Sequence, residues 1–166
     1  MSDKIVITES AFDEERAALI SLVTSDAANL LKVSLEDDTP EIIVSAVDEV
    51  VYSTQKGNPL EIPEGEDPDL LFGCLWGSQL VKALNWSWVN IDFNDEQDSK
   101  SIAVVSPTRD MVIYPFDFVS SCLGNRNEVT IMLSFNMLKE KADSQTYDDC
   151  SYMDIMPLIY HIVPRG

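Results

Sequence analysis

"LFGCLWGSQLVKALNWSWVNIDF", Leu71 to Phe93, holds all three tryptophans of the chain, Trp76, Trp86 and Trp88, and two glycines four residues apart. The period of its apolar residues changes partway along. Up to Leu84 the spacing is helical, whereas Trp88-Val89-Asn90-Ile91-Asp92-Phe93 alternates as a strand does. A helix therefore leads directly into a strand. Gly73 and Gly77 fall on one helical face, in a row that Leu80 and Leu84 continue. Each glycine costs about 1 kcal/mol relative to alanine inside a helix. Close approach to another backbone would explain two of them. Paired glycines also cradle phosphates, but "GCLWG" lacks the GxGxxG spacing and the lysine of such loops, and it lies inside the helix rather than at its start. The stretch thus predicts a helix pressed onto a sheet. Trp86 and Trp88 would lie on one strand face, with Val89, Ile91 and Phe93 on the other. Aromatics bury large areas, which favours packing over a cage for a cationic ligand.

Downstream, Ile102 to Val105 reads as a central strand, apolar on both faces. Ser106-Pro107-Thr108-Arg109-Asp110 is a turn of hairpin length, and Met111 to Tyr114 the next strand, stopped by Pro115. Asp117 to Leu123 is a short helix ended by Gly124, with Asp117 as its cap. Val129 to Phe135 is expected to be a fourth strand, and Tyr147 to Tyr160 a last helix with a defect at Pro157.

Upstream, residues 10–33 predict a helix capped by Ser10, with Asp13 and Glu14 in its first turn. Phe12, Leu19, Ile20, Val23, Ala27, Leu30 and Leu31 form its apolar stripe. A second helix begins at Thr39 and Pro40 and runs to Gly57, its stripe made of Ile43, Val47, Val50 and Val51. The two make a helical hairpin. The stretch "GNPLEIPEGEDPD" (57–69) has three prolines, two glycines and five acids, and reads as a linker. The chain is expected to be a single α+β domain: an acidic helical part (1–57), a linker (58–69) and a helix-plus-sheet part (70–166). In that last part a helix packs on an antiparallel sheet of about four strands, and a C-terminal helix follows.

"LLFGCLWGSQLVKALNWSWVNIDF … KSIAVVSPTRDMVIYPFDFVSSCLGNRNEVTIMLSF" resembles, over about residues 70–138, a family of uncharacterised bacterial domains, a domain of unknown function. In that family a helix with paired glycines leads to a tryptophan-bearing strand, then to segments like "AVVSP" and "VIYPFDFV". Ser78 stands here where the family suggests an acid, and Asn85 where it suggests glycine. The resemblance implies an α+β fold and a bacterial cytosolic setting, with no catalytic residue to carry over.

Charge narrows the partners. The chain has 29 acids and 11 bases, a net of −18. Residues 1–69 hold 17 of the acids and 4 of the bases. Such a surface repels phosphate backbones and anionic lipid heads, so neither direct nucleic-acid nor membrane binding is expected. It attracts a basic protein and speeds that encounter, although negative charge also simply keeps a protein soluble. The candidate contacts are Asp37, Asp38, Glu61, Glu64, Glu66, Asp67 and Asp69. With no leader and no apolar run of membrane length, a cytoplasmic location is expected.

Catalytic signatures are lacking. His161 is the one histidine, and Cys74, Cys122 and Cys150 form no CxxC pair, so no metal or cofactor site is expected. "DFNDEQD" (92–98) opens like a calcium loop, but Gln97 and Ala103 occupy the positions that need glycine and glutamate, leaving a hairpin turn. Asp92 and Asp117 are the acids most open to burial. Two function classes remain beside a plain homodimer. One is a non-enzymatic acidic domain that binds a basic protein, as toxin-immunity proteins do. The other is a small-ligand or enzymatic domain with a pocket between the tryptophan-bearing helix and the sheet, lined by Trp76, Trp86 and Asp92.

Overall fold

The structure is a computed structural model that describes residues 7–124, 131–144 and 147–156. It opens with a short strand, β1 (Thr8–Ser10), followed by α1 (Glu14–Leu31) and α2 (Pro40–Gln55). Next come α3 (Pro68–Leu84), β2 (Ser87–Asp92), β3 (Lys100–Val105), β4 (Met111–Ile113), α4 (Pro115–Leu123), α5 (Ile131–Ser144) and β5 (Met153–Asp154). The fold is α+β, with helices at the N-terminus and a five-stranded sheet in the order β1-β2-β3-β4-β5. The first three pairings are antiparallel and the last, β4 with β5, is parallel.

Local chemistry sets most boundaries. Asp13, not Ser10, caps α1: its carboxylate accepts the Arg16 N–H at 2.7 Å. Ser10 instead belongs to β1, paired with Asn90. Thr39 caps α2 and Pro40 opens it, as expected. Asp67 caps α3, which ends on Asn85 in the left-handed conformation (φ 59°). Asparagine tolerates that conformation best after glycine. The α4 helix starts at Pro115 behind Tyr114, which makes no side-chain cap bond, so Asp117 is a first-turn residue and not the cap.

The central helix is α3. Every residue from Leu71 to Gly77 is buried, as expected of a helix apolar all round. The arms α1 and α2 pack on it far more than on each other, and α4 lies along it. Thr24 and Ser78 tie α1 to α3 with oxygens 3.2 Å apart. The Thr24 hydroxyl donates to the Ile20 carbonyl at 2.6 Å, so Ser78 is the donor between them. One sheet face carries Trp88, Val104, Met111 and Ile113 into this helical core. The other carries Val89, Ile91, Ala103, Val105 and Val112 into a smaller cluster with Ile7, Phe93, Tyr114 and Tyr152.

Two expectations are corrected downstream of α4. The segment expected as a strand, Val129 to Phe135, is helical from Ile131 on, and its first two residues lie outside the described residues. Ile131, Phe135 and Leu138, at helical spacing, are all fully buried, and Asp48 of α2 accepts the Met132 N–H at 3.2 Å, satisfying a first-turn donor. Where a helix is expected from Tyr147, the chain first makes turns and strand β5; Met156 is helical, and 157–160 lie outside the described residues. β5 forms because the 106–110 turn offers partners. Cys150 N–H donates to Thr108 O (3.0 Å), Tyr152 N–H to Arg109 O (2.9 Å) and Met153 N–H to Asp110 O (2.9 Å).

Candidate functional site

Two large apolar side chains of α1 meet water. Ile20, Val23, Ala27 and Ala28 are buried. Leu19 and Leu22 point the other way, 52% and 59% exposed. This corrects the expectation that Leu19 belongs to the core stripe. Burying one such side chain fully is worth about 1.5–3 kcal/mol, so two left in water on one face are apolar area that a partner could cover. Glu15 stands one turn before Leu19 and Asp26 one turn after Leu22. The spacings of four, three and four put all four residues in one stripe. At its end a groove of about 400 Å³ opens between α1 and the 63–71 segment, lined by Asp26, Asn29, Leu30, Pro63, Glu66 and Leu71. Apolar residues line it beside two carboxylate-bearing side chains.

The seven acids singled out in the sequence divide by what they already do. Asp38 is half-buried and accepts the Ser34 N–H at 2.8 Å. Asp67 caps α3, accepting the Asp69 N–H at 3.0 Å, and Asp69 sits in that first turn. These three shape the chain. Asp37, Glu61, Glu64 and Glu66 are exposed. Glu66 borders the groove beside α1. Glu61 lines a second groove, of about 450 Å³, with Glu49, Val50 and Leu60.

The residues of the alternative pocket are differently placed. Trp76 is fully buried against Phe118, ring centroids 4.8 Å apart, and Trp86 is 5% exposed. Asp92, half-buried at the end of β2, accepts the Asn94 N–H at 2.9 Å and borders an open groove at the sheet end. The space between α3 and its neighbours is taken by rings: Phe116 fits against Gly73, and Trp88 against Gly77. The glycines thus admit side chains, where backbone approach was expected. Phe116 does bring its Cα within 3.3 Å of the Gly73 Cβ position.

Among the described residues the buried acids are Asp48 and Asp110, neither evident from local sequence. Asp110 accepts from the Ser106 hydroxyl (2.5 Å), the Thr108 hydroxyl (2.9 Å) and the Tyr147 N–H (3.2 Å). Burial pushes its carboxyl up, and these hydrogen bonds outweigh it and hold it below the ordinary value. On the sheet's second face Glu9 takes the Arg109 guanidinium at 2.7 Å and the Tyr152 hydroxyl at 2.8 Å. Burial pushes the Tyr152 phenol up to about 12, and the Glu9 contact adds to it. Burial likewise pushes the Cys74 and Cys122 thiols up to about 12. Thiols that hold their protons so tightly are poor nucleophiles. Among the described residues no helix is long and apolar enough to cross a membrane, and no cluster of acids, cysteines or histidines is arranged to hold a metal ion.

Comparison with protein-family models, with characterised proteins and with solved structures found no match.

Proposed function

We propose that this chain is a non-enzymatic, acidic protein-binding domain that docks a basic protein through the outer face of α1. The observation that carries the reading is the pair Leu19 and Leu22, more than half exposed and framed by Glu15 and Asp26. An acidic field steers a basic partner inward and raises the association rate. The exposed leucines then supply the apolar contact that holds it. Two copies meeting face to face would set like charges against each other, which argues against a homodimer through this surface. A basic nucleic-acid-binding protein, such as a nuclease-type toxin in a bacterial cytosol, has the complementary charge.

The test compares the wild-type chain with a Leu19→Ser/Leu22→Ser double variant as bait at low salt. A basic protein that wild type retains and the variant loses, and that elutes as salt rises, is the expected result. Capture of the same proteins by both baits, or capture indifferent to salt, would overturn the reading.

A further inference from the structure

The sheet extends past the helices that cover it. Trp88 of β2 packs against α3, and beyond it on the same strand face come Asn90 and Asp92. Asn90 pairs with Ser10 of β1 and Ile102 of β3, and Asp92 with Thr8 and Lys100. These residues border an open groove of about 740 Å³, walled by Phe116 of α4 and by Asp13 and Arg16 at the start of α1. Small-molecule sites span roughly 300–1,000 Å³, with a few convergent polar groups beside apolar walls.

The charged groups around this groove are not equally engaged. Asp13 caps α1 through the Arg16 N–H. Asp92 holds the Asn94 N–H. Glu9 is taken by Arg109 and Tyr152. Arg16 is in the opposite position. Its guanidinium donates at 2.7 Å to Asn90 Oδ1, a neutral acceptor. The Asn90 amide is itself held, donating to the Ala11 carbonyl at 3.3 Å. The arginine is thus positioned without being neutralised, and among the described residues it forms no ion pair. Lys100 pairs at 3.3 Å with Asp98, both well exposed, the kind of contact that yields easily to a better partner.

We propose that this groove binds a small organic anion, its carboxylate or phosphate group held by Arg16 and Lys100 and its apolar body against Ile102 and Phe116. A guanidinium fork matches the oxygens of either group. The net charge of −18 repels anions at long range, so binding depends on these local donors. The site does not depend on the α1 docking face, because Arg16 turns toward the sheet and Leu19 and Leu22 toward solvent.

Titration with benzoate and with phenyl phosphate, followed by NMR at the Arg16 and Asn90 side-chain signals, tests the assignment. Saturable shifts with at least one of the two are expected, and the preferred probe tells carboxylate from phosphate. Arg16→Gln should weaken binding about tenfold or more through loss of charge-assisted hydrogen bonds. Lys32→Gln, an exposed cation at the far end of α1, should not. An unchanged amide spectrum shows that Arg16→Gln still folds; if it does not, Lys100→Gln takes its place and should also weaken binding. No saturable shift with either probe, or equal affinity in the groove variant and in Lys32→Gln, would overturn the proposal.

Discussion

The Cβ that Gly77 lacks would stand 2.4 Å from Cη2 of the Trp88 indole. Two phenyl rings flank the indole. Phe12 stacks on it at 6.1 Å between centroids and Phe116 at 6.0 Å, while Pro115 Cγ lies 3.0 Å from the same Cβ position. The glycine on α3 and the tryptophan on β2 are one joint between helix and sheet.

Gly77→Ala should therefore destabilise the protein by about 1–3 kcal/mol through overpacking, even though alanine gains about 1 kcal/mol in helix propensity. Chemical denaturation measures it. Trp88→Phe removes the outer ring that the new methyl strikes. In a double-mutant cycle it should recover part of the loss, giving a coupling clearly different from zero. Additive effects would mean that the two residues do not share this contact.

Asp110 predicts a pH dependence. Its carboxyl sits below the ordinary aspartate value of 3.8 in the folded chain. A group depressed on folding adds stability that is fully present above its unfolded value and is lost as pH falls through its folded one. The protein should lose stability below about pH 4, and Asp110→Asn should flatten that limb. At neutral pH the variant should cost about 1–3 kcal/mol for the hydrogen bonds removed from a buried site. Amide exchange at Tyr152 and Met153, whose N–H groups bond to the same turn, should speed up more than exchange in β2 and β3. Uniform acceleration would mean that Asp110 does not act locally on the 147–156 segment.

What the sequence disclosed follows the range of the forces involved. Thr39-Pro40 marks a helix start through its own side chain and dihedral, and α2 begins there; Asp67-Pro68 does the same for α3 inside the stretch read as a linker. The alternation in β2 and the apolar run in β3 are equally local. Val129 to Phe135 misled because β-branched residues open it. The helical period that decides α5, Ile131, Phe135 and Leu138, closes only beyond that window, and the first-turn bond comes from Asp48, 84 positions away. β1 and β5, three and two residues long, exist through their partners and leave no local signal. Of the proposed docking face little was legible: of the seven acids singled out, only Glu66 borders the groove beside α1. The acids were visible, but not that Asp38 is taken by the Ser34 N–H and that Asp67 caps α3. Leu19-Ile20 and Leu22-Val23 put apolar residues on two faces of α1. That excess is the signal that could have revealed the exposed pair.

The cysteines should separate cleanly. Cys74 and Cys122 are buried and Cys150 is exposed, and none of the three is in a disulfide. Iodoacetamide at pH 8 should modify Cys150 alone in the native protein, and all three thiols once denaturant is added, as read by mass spectrometry. Burial both excludes the reagent and suppresses the thiolate that would attack it. Modification of Cys122 under native conditions would show that α4 opens away from α2.

Leu22 offers the sharpest separation between docking and folding. A leucine needed by the core cannot be replaced cheaply: Leu75→Ala, at a fully buried position of α3, should cost about 2–5 kcal/mol. Leu22 is 59% exposed, so Leu22→Gln should stay within about 0.5 kcal/mol of wild type. Glutamine keeps nearly the same helix propensity. If α1 is the docking face, the same substitution should speed dissociation of the basic partner while leaving the salt dependence of association intact, because the carboxylates that steer it remain. Neutralising Glu15 and Asp26 to their amides should do the reverse, slowing association and flattening its dependence on salt. A Leu22→Gln chain that binds as tightly as wild type, with its stability unchanged, would place the contact elsewhere on the surface.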